Sequence, residues 1–331
     1  MLNHQPSVSE TSTRRGARIV FGLKSAVAAV VLYFLVWSGR LDTSLLLRAT
    51  PLYAILVLVL SFLAMFIPAI RWWILLRAQN VSIRFSDAVR ITWISYFATL
   101  FLPGAAAGDV AKGLFFVRGS SAGRLKSLST VVVDRLLGLY SLMAMAGIAC
   151  IPLFFSATDD SIRQRIAFGI VVMWMAATIA MFSLLIPSMR SVSMRLLPFP
   201  KVDSIWQLYQ AQRGVVTEGV MLSLLSSILT LAALGISFVA LHQQINLQAV
   251  CQVGPLAILA NCLPLTPGGL GVGEAASEAA FNMLGISGGA EAMLLVRFAT
   301  ILCSLPGGLA SYGSAVGLKN PSPMKHEISP Q

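Results

Sequence analysis

Four ionisable residues interrupt the most apolar parts of the chain, and they form two pairs of similar spacing. Asp109 precedes Arg135 by 26 residues, and Glu274 precedes Arg297 by 23. An ionised side chain costs about 2.5–3.5 kcal/mol at the centre of a membrane helix, so four of them facing lipid would cost on the order of 10 kcal/mol. We therefore expect them to face one another or a wet cavity. Two interpretations stay open, namely ion pairs that lock a helix bundle and a polar cavity that binds a charged group.

The two arginines indicate which charged group such a cavity would bind. A guanidinium presents a planar fork of N–H donors that matches phosphate or carboxylate with two-point contacts. Beyond Arg297, polar or small residues recur at spacings of three and four, which places them on one helix face: Thr300, Ser304, Gly308 and Ser311. This face predicts the lining of a groove, although small residues so placed are as typical of close helix packing.

A glycine-rich stretch lies directly before Glu274, with Gly268, Gly269, Gly271 and Gly273 in six positions. Glycine lets a ligand approach the main chain closely. A helix that begins near Glu274 would also point its N-terminal N–H groups there, and such groups attract anions. The alternative interpretation is that the glycines only form the tip of a turn, without a ligand.

Three further charged residues lie near these pairs, and we predict secondary roles for them. Lys112 is counted among the charges at the cytoplasmic end of its segment. Asp134 adjoins Arg135 about 100° around a helix, so we expect it to pair with a loop residue or to extend toward the cytoplasmic surface. Glu278 shares a helix face with Glu274 and repels it unless one carboxyl is protonated or paired, which leaves a proton-coupled role open.

The composition indicates an integral membrane protein. Of the 331 residues, 56% are hydrophobic and 11% are charged, whereas soluble domains average about 45–50% and about 25%. A soluble enzyme, a disordered regulator and a secreted disulfide scaffold are therefore excluded. The net charge of +11 comes from short loops beside apolar runs, which indicates membrane topology rather than nucleic-acid binding. The cysteines and histidines lack metal-ligand spacing, so we expect neither a metal nor another cofactor.

Six apolar runs are long enough to cross about 30 Å of hydrocarbon at about 20 residues each, which predicts an all-α polytopic protein. The polar segment 1–18 precedes an uncleaved first span rather than a signal peptide, because no small-residue cleavage site follows that span. The predicted transmembrane domain is 19–318, and 319–331 is a short cytoplasmic tail. The six runs are 19–37, 51–70, 127–155, 164–187, 215–241 and 290–318.

Two further apolar segments are broken in the middle, 91–118 at Pro103-Gly104 and 251–285 at Pro267-Gly268. Each arm would be about 14–20 Å long as a helix, too short to cross alone, so each segment is either a kinked span or a re-entrant hairpin. With two hairpins, 18 lysines and arginines lie in cytoplasmic loops and four lie outside; with two crossings, the numbers are 12 and 10. The positive-inside rule favours the hairpins and places both termini in the cytoplasm, beneath the inner membrane.

The two hairpins would enter from opposite membrane faces, and they share a short sequence pattern. Each has a Pro-Gly pair followed by a Gly-acid pair, Gly108-Asp109 in the first and Gly273-Glu274 in the second. Two opposed copies of one unit are typical of inverted-repeat transporters, whose binding sites lie near the membrane midplane where broken helices meet.

The loop 188–214 mixes basic and aromatic residues. This mixture predicts an interfacial helix on anionic lipid, and a plain solvated loop is the alternative.

These motifs are similar to those of the lysylphosphatidylglycerol synthase transmembrane-region family, also called flippase-like membrane proteins. The segments 102–112 and 133–139 resemble its first signature, and 265–275 resembles its second. The resemblance extends from about residue 15 to residue 318. The chain differs from the family at Ala106 and Ala107, where the family usually has glycine, and at Lys112, where arginine is common. The similarity is therefore weaker in the first hairpin.

The resemblance implies a lipid-handling membrane domain, which in the best-known members moves aminoacylated phosphatidylglycerol between leaflets. In those members a soluble aminoacyl-transferase domain follows the membrane part. No such domain follows residue 318, so the resemblance does not imply synthase activity here. Other relatives of this kind are associated with glycolipid, hopanoid or polyprenol pathways, which leaves the cargo open.

Our leading hypothesis is a flippase that binds a phosphate-bearing phospholipid or glycolipid between the two hairpins. Arg135 and Arg297 would hold the headgroup, Asp109 and Glu274 would balance the charge, and the glycines would supply hinges and donors. The alternative is a partner protein that presents lipid to a membrane glycosyltransferase or a lipid-synthesis enzyme without moving it. An enzyme acting on lipid phosphates is disfavoured, because the membrane segments show no nucleophile–base pair.

Overall fold

A computed structural model of the chain describes residues 49–101, 108–113, 124–154, 161–185, 212–261 and 269–317, except 82, 111 and 245, together with the single residues 33 and 266. Within these ranges all regular secondary structure is helical. A 3₁₀ turn, Ile151–Phe154, follows the third helix. The α-helices are α1 (Pro51–Ala78), α2 (Phe85–Phe101), α3 (Arg124–Cys150), α4 (Ser161–Leu185), α5 (Arg213–Ala240), α6 (Leu247–Ala260), α7 (Val272–Asn282) and α8 (Gly289–Gly317).

Among the described residues, four helices are long and apolar enough to cross a membrane. They are α1, the part Ser129–Cys150 of α3, α5, and the part Gly289–Ala310 of α8. These four coincide with four of the six predicted spans. Helix α4 falls on a fifth, the predicted span 164–187. The protein is therefore an all-helical, multi-pass membrane protein.

Several predicted features lie outside the described residues. They include the span 19–37 apart from residue 33, the segments 1–18 and 319–331, and most of the loop 188–214. The four residues of the two Pro-Gly pairs, Pro103, Gly104, Pro267 and Gly268, also lie outside them.

Helix α1 continues about two turns beyond the predicted run 51–70. The predicted span ended before Arg71, because a charged residue normally marks the end of an apolar run. In the structure the Arg71 side chain is only 7% exposed, and its Nε donates to Oδ1 of Asp134 at 2.7 Å. The arginine is thus neutralised inside the bundle, and the helix extends through it.

The same succession of helices occurs twice along the chain. A 28-residue helix (α1 or α5) is followed by a shorter one (α2 or α6), an interruption, a short helical stretch, and a long helix that carries an arginine. In the first copy the short stretch comprises 108–110 and 112–113, and in the second it is α7. Three matching pairs are each 162 positions apart: Pro51 and Arg213, Phe85 and Leu247, and Arg135 and Arg297.

The two 28-residue helices pack against each other in antiparallel directions. At one end the main-chain N–H of Thr50 donates to the carbonyl of Ala240 at 2.9 Å. Further along, Ser226 Oγ donates to the carbonyl of Ala64, also at 2.9 Å. The first residues of α1 therefore lie beside the last residues of α5.

The residues that flank each interrupted segment lie close together. Gln79, just after α1, donates through Nε2 to Ser129 Oγ near the start of α3, at 3.3 Å. Gly288, just before α8, lies against the side chain of Gln243, just after α5. Since α1 and α5 are antiparallel, these two meeting points are at opposite ends of the bundle.

The two halves of the fold interlock through the first helix of each interrupted segment. Helix α2 packs on α8, where Trp93 Nε1 donates to the carbonyl of Cys303 at 3.0 Å. Helix α6 packs on α3, where Gln252 Nε2 donates to the carbonyl of Ala149 at 3.2 Å. Each arginine-bearing helix is thus covered by a segment of the other half, which brings both predicted acid–arginine pairs toward the interface between the halves.

Candidate functional site

The predicted pair in the second half is formed. Arg297 on α8 donates through Nε to the carboxylate of Glu274, and its Nη2 also donates to the carbonyl of Gly269 at 3.0 Å and to Oδ1 of Asn261. The Glu274 side chain is fully buried and that of Arg297 is 12% exposed. Three polar partners, from the end of α6 and from the start of α7, therefore hold this guanidinium in one orientation. Asn261 was missed in the sequence, since a lone amide at a helix end is a common capping residue.

The glycines before α7 permit this close arrangement. Gly269 and Gly271 have φ angles of 73° and 83°, which side chains rarely adopt. A Cβ at Gly273 would lie 1.9 Å from Oδ1 of Asn261. The N–H of Gly271 donates to Oε2 of Glu274 at 2.7 Å, so a carboxylate of the protein itself occupies the start of α7. This contact favours the interpretation in which the glycines form a turn, because the Gly271 amide already has an internal anionic partner; anion binding by the glycines stays a prediction.

The predicted pair in the first half is formed as well. Arg135 on α3 donates through Nε to Oδ2 of Asp109 at 2.6 Å, and its Nη2 lies 2.5 Å from the same oxygen. This pair is more accessible than the other, with side chains that are 41% and 24% exposed. Gly108 packs tightly on α2, where a Cβ would lie 2.0 Å from Oγ1 of Thr99. In each half, the glycine directly before the acid thus contacts α2 or the residue that ends α6.

A third, buried cluster joins α1, α3 and the stretch at residue 112. Asp134 accepts from Arg71 Nε at 2.7 Å and from Lys112 Nζ at 3.2 Å, and all three side chains are less than 10% exposed. Lys112 Nζ also lies 4.2 Å from the ring centroid of Trp72, a cation–π distance. The prediction that Asp134 pairs with a loop residue or extends to the surface was wrong, because Arg71 and Lys112 are inside the bundle.

Arg71 was overlooked in the sequence as a candidate site residue and was counted with Lys112 as a loop charge. The apolar run that resumes directly after it, from Trp72 to Leu76, was the available signal that the helix and its burial continue. An arginine inside an apolar run requires a buried partner, and Asp134 is that partner.

One cavity of about 440 Å³ connects the charged groups of the two halves. Its volume is typical of small-molecule sites. Arg135 and Arg297 both line it, although they belong to different halves of the fold. The other charged lining residues are Arg71, Lys112, Asp109 and Asp134.

Ten hydroxyl-bearing residues also line the cavity, alongside a larger apolar surface. They follow one face of α2 and one face of α5 at spacings of three and four, and α8 contributes the predicted Thr300 and Ser304. Gly308, on the same predicted face of α8, instead packs against the ring of Phe97. The hydroxyls from α2 and α5 are Thr92, Ser95, Tyr96 and Thr99, and Ser223, Ser226, Ser227 and Thr230.

Glu278 has a structural role at the other end of α7. Its Oε2 accepts from the main-chain N–H of Ala290 at 3.0 Å, and its Oε1 accepts from Nδ2 of Asn282 at 2.8 Å. Glu278 therefore caps the start of α8, while Glu274 is paired with Arg297. The predicted repulsion between the two carboxylates is relieved by separate partners.

Within the described ranges, no group of three or more His, Cys, Asp or Glu side chains is arranged to hold a metal ion. The expectation that the protein needs no cofactor stays a prediction.

Comparison with known proteins adds a family likeness that covers most of the chain. Residues 21–307 match the family described as the lysylphosphatidylglycerol synthase TM region. The chain is also similar to a UPF0104 membrane protein of Methanothermobacter thermautotrophicus, with 22% identity over 91% of this chain and 96% of that protein. A second UPF0104 membrane protein, from Pyrococcus horikoshii, is 26% identical over 78% of this chain and 85% of its own length.

Proposed function

We propose a lipid-translocating function from one premise: the chain belongs to the family of the lysylphosphatidylglycerol synthase transmembrane region. It is a multi-pass membrane protein of that family, and lipid handling is the activity that the membership favours. Our specific proposal is a flippase that moves a phosphate-bearing phospholipid or glycolipid between leaflets.

The observation that supports this proposal is the shared cavity. Arg135 and Arg297 come from equivalent places in the two halves and line a single space of about 440 Å³. A guanidinium can bind a phosphate in place of a carboxylate, since each anion presents two acceptor oxygens to its planar fork of N–H donors. We assign the headgroup phosphate to these two arginines, with Asp109 and Glu274 as the partners that the phosphate replaces.

The helix directions support two opposed re-entrant hairpins as part of this proposal. The ends of the first interrupted segment meet at Gln79 and Ser129, and those of the second meet at Gln243 and Gly288, at the opposite end of the bundle. The repeated helix order, with matching residues 162 positions apart, supports an inverted repeat. In such transporters the site lies between the halves, where broken helices meet. The inner-membrane location and the cytoplasmic termini stay predictions from charge distribution.

The buried cluster of Arg71, Lys112 and Asp134 has a supporting role in this mechanism. It fixes α1 against α3 and holds the stretch at residue 112 in place, and this stretch carries Asp109. The first acid–arginine pair therefore rests on a rigid base. In the second half, the glycines at 269, 271 and 273 allow the partners of Arg297 to approach it closely.

Lipid movement by the purified protein tests the proposal. The full chain is reconstituted in liposomes that contain phosphatidylglycerol labelled with NBD on an acyl chain, and dithionite quenching reports the exchange between leaflets. We expect translocation by the wild type and a loss of at least tenfold for Arg297→Ala. The exposed Arg213→Ala on α5 is the matched control and should retain the wild-type rate.

Binding without movement would favour the alternative function. A protein that presents lipid to a glycosyltransferase or a lipid-synthesis enzyme would bind phosphatidylglycerol and co-purify with that enzyme, yet wild type and Arg297→Ala would show equal, background exchange. Turnover of a lipid phosphate by the pure protein would instead overturn the prediction that it is not an enzyme.

A further inference from the structure

We propose that α1 contains a hinge at Pro68, which the hydroxyl groups of Tyr96 and Ser226 hold closed. A second hinge, at Pro306 in α8, is coupled to the first through α2. This motion is a property of the protein itself, beyond the proposed function, and its test needs no lipid transport.

Pro68 interrupts the main-chain hydrogen bonds in the middle of α1. A proline has no N–H group, and its ring crowds the carbonyl four residues before it, here that of Ala64. Inside a membrane protein such a carbonyl requires another donor, which side chains of neighbouring helices commonly supply. The conformation of α1 at this point therefore depends on contacts with other helices.

Two hydroxyl groups from different helices act as these donors, and we call them the latch. Ser226 Oγ on α5 donates to the carbonyl of Ala64 at 2.9 Å. Tyr96 Oη on α2 donates to the adjoining carbonyl, that of Met65, at 3.1 Å. Because both bonds are made by rotatable side chains, they can break while the rest of α1 stays helical. Pro68, Met65 and both latch residues line the cavity, so open volume lies beside the hinge.

The corresponding part of α5 is unbroken. Thr230 lies 162 positions after Pro68, and its Oγ1 donates to the carbonyl of Ser226 within α5 at 2.9 Å. Helix α5 has no proline at any position. Ser226 also lies 162 positions after Ala64, so the latch bond joins equivalent positions of the two halves. The hinge is therefore a feature of α1 that its partner helix lacks.

Helix α8 has a similar arrangement around Pro306. Trp93 Nε1 on α2 donates to the carbonyl of Cys303, three residues before that proline, at 3.0 Å. The latch bond of Tyr96 has the same offset from the proline of α1. Trp93 and Tyr96 lie one turn apart on α2, with ring centroids 5.9 Å apart. Helix α2 therefore holds α1 and α8 at equivalent points, and a movement of α2 that releases one affects the other.

Each hinge lies on the same helix as an arginine of the cavity. Arg71 follows Pro68 by three residues, and Arg297 precedes Pro306 by nine. Both arginines line the cavity. A bend at either proline thus changes the position of one arginine relative to the opposite wall, and the coupling through α2 makes the two changes occur together.

Fluorine NMR of the full chain in phosphatidylcholine nanodiscs measures the motion. In a background without the native cysteines, Arg77→Cys carries a trifluoromethyl label at an exposed position of α1 beyond the hinge. Val239→Cys, exposed at the equivalent position of α5, is the matched control. We expect two exchanging signals at position 77 and one at position 239. Pro68→Ala restores the missing N–H, so it should lower the population of the minor signal about tenfold.

Variants of the latch test how the hinge is held. Ser226→Ala and Tyr96→Phe each remove one hydroxyl donor and should raise the population of the minor signal about threefold or more. In the Pro68→Ala background, Ser226→Ala should have little effect, because the restored N–H then bonds to the same carbonyl. Ser237→Ala is the control, since its buried hydroxyl donates to a carbonyl of its own helix; it should leave both signals unchanged.

The coupling between the hinges is measured with the same label. Pro306→Ala should also lower the minor signal of α1, and Trp93→Phe should abolish that effect because it removes the donor on α2. A minor signal that does not respond to Pro306→Ala would overturn the coupling.

Two other results would overturn the hinge and its latch. One is a single signal at position 77, or a minor signal that Pro68→Ala leaves unchanged. The other is an effect of Ser226→Ala that is equal with and without the proline. These measurements do not involve lipid movement, so the proposed function can fail while the hinge is confirmed, and the reverse.

Discussion

Arg135 and Arg297 lie 162 positions apart in the sequence, on equivalent helices of the two halves, and both line the same cavity. Each is paired with a carboxylate that directly follows a glycine of a broken segment, Asp109 or Glu274. Because each arginine-bearing helix is covered by a segment of the other half, a displacement of one half moves both pairs relative to each other. In the proposed flippase, this relationship allows the site to face each leaflet in turn.

Removal of Glu274 is predicted to destabilise the protein strongly. Glu274→Ala leaves the buried guanidinium of Arg297 without its carboxylate, and breaking a buried pair in this way costs about 3–5 kcal/mol. Thermal unfolding in detergent measures the effect. The exposed Glu218→Ala on α5 should stay close to wild type, and Glu274→Ala/Arg297→Ala should recover part of the loss, since both charges are then absent. A midpoint for Glu274→Ala like that of Glu218→Ala would show that the pair is not a buried constraint.

Gly273→Ala is predicted to disrupt the packing between α6 and α7. The added Cβ would lie 1.9 Å from Oδ1 of Asn261 and 2.8 Å from Nη2 of Arg297, so the start of α7 must move away from the end of α6. We expect a lower unfolding midpoint together with a loss of lipid translocation. Gly169→Ala on α4 is the control, because nothing lies within 4 Å of its Cβ position and alanine is favoured over glycine in a helix by up to about 1 kcal/mol. Equal behaviour of the two variants would contradict the close packing at Gly273.

The buried cluster predicts a large loss of stability when its anion is removed and a small one when one of its cations is removed. Asp134→Ala leaves Arg71 and Lys112 together in the interior, and we expect a loss on the order of 3–5 kcal/mol. Lys112→Met preserves side-chain length and leaves the Arg71–Asp134 pair intact, so its effect should be small. Unfolding midpoints of the two variants, measured side by side, check that Asp134→Ala lowers stability more than Lys112→Met does. A larger effect for Lys112→Met would mean that the lysine, rather than the aspartate, organises the cluster.

Much of the site follows from the sequence, because charges within apolar segments must find partners. The sequence analysis grouped Asp109 with Arg135 and Glu274 with Arg297 and left open whether they form ion pairs or line a cavity; the structure shows both contacts. The Arg71–Asp134 contact was not predictable from spacing alone, since its partners belong to different helices 63 positions apart.

The role of the glycine-rich stretch could not be inferred from the sequence either. A free N–H group and one that is already bonded look the same in a sequence, so only the structure shows that Gly271 donates to Glu274. For the fold, the four helices long and apolar enough to cross a membrane were predictable from hydrophobic length, whereas the direction in which each helix packs depends on tertiary contacts such as Thr50 with Ala240.

Single cysteines test the second proposed re-entrant hairpin and the opposed orientation of the two segments. In a background without the native cysteines, Asn80→Cys, Gln244→Cys and Ser287→Cys place a thiol at three exposed positions outside the helices. A membrane-impermeant maleimide should label positions 244 and 287 from the same side of the membrane and position 80 from the other. Labelling of 244 and 287 from opposite sides would show that the second segment crosses, and the inverted repeat would then fail.

The central claim, that one phosphate contacts both arginines, is tested most directly by the translocation rates of Arg135→Lys, Arg297→Lys and the double variant. Lysine keeps the charge but loses the two-point contact, so each single change should slow phosphatidylglycerol exchange about tenfold. Because both contacts hold the same group, the double variant should be only slightly slower than either single variant. A double variant about a hundredfold slower than wild type, equal to the product of the single effects, would show that the arginines act independently and would contradict a shared headgroup site.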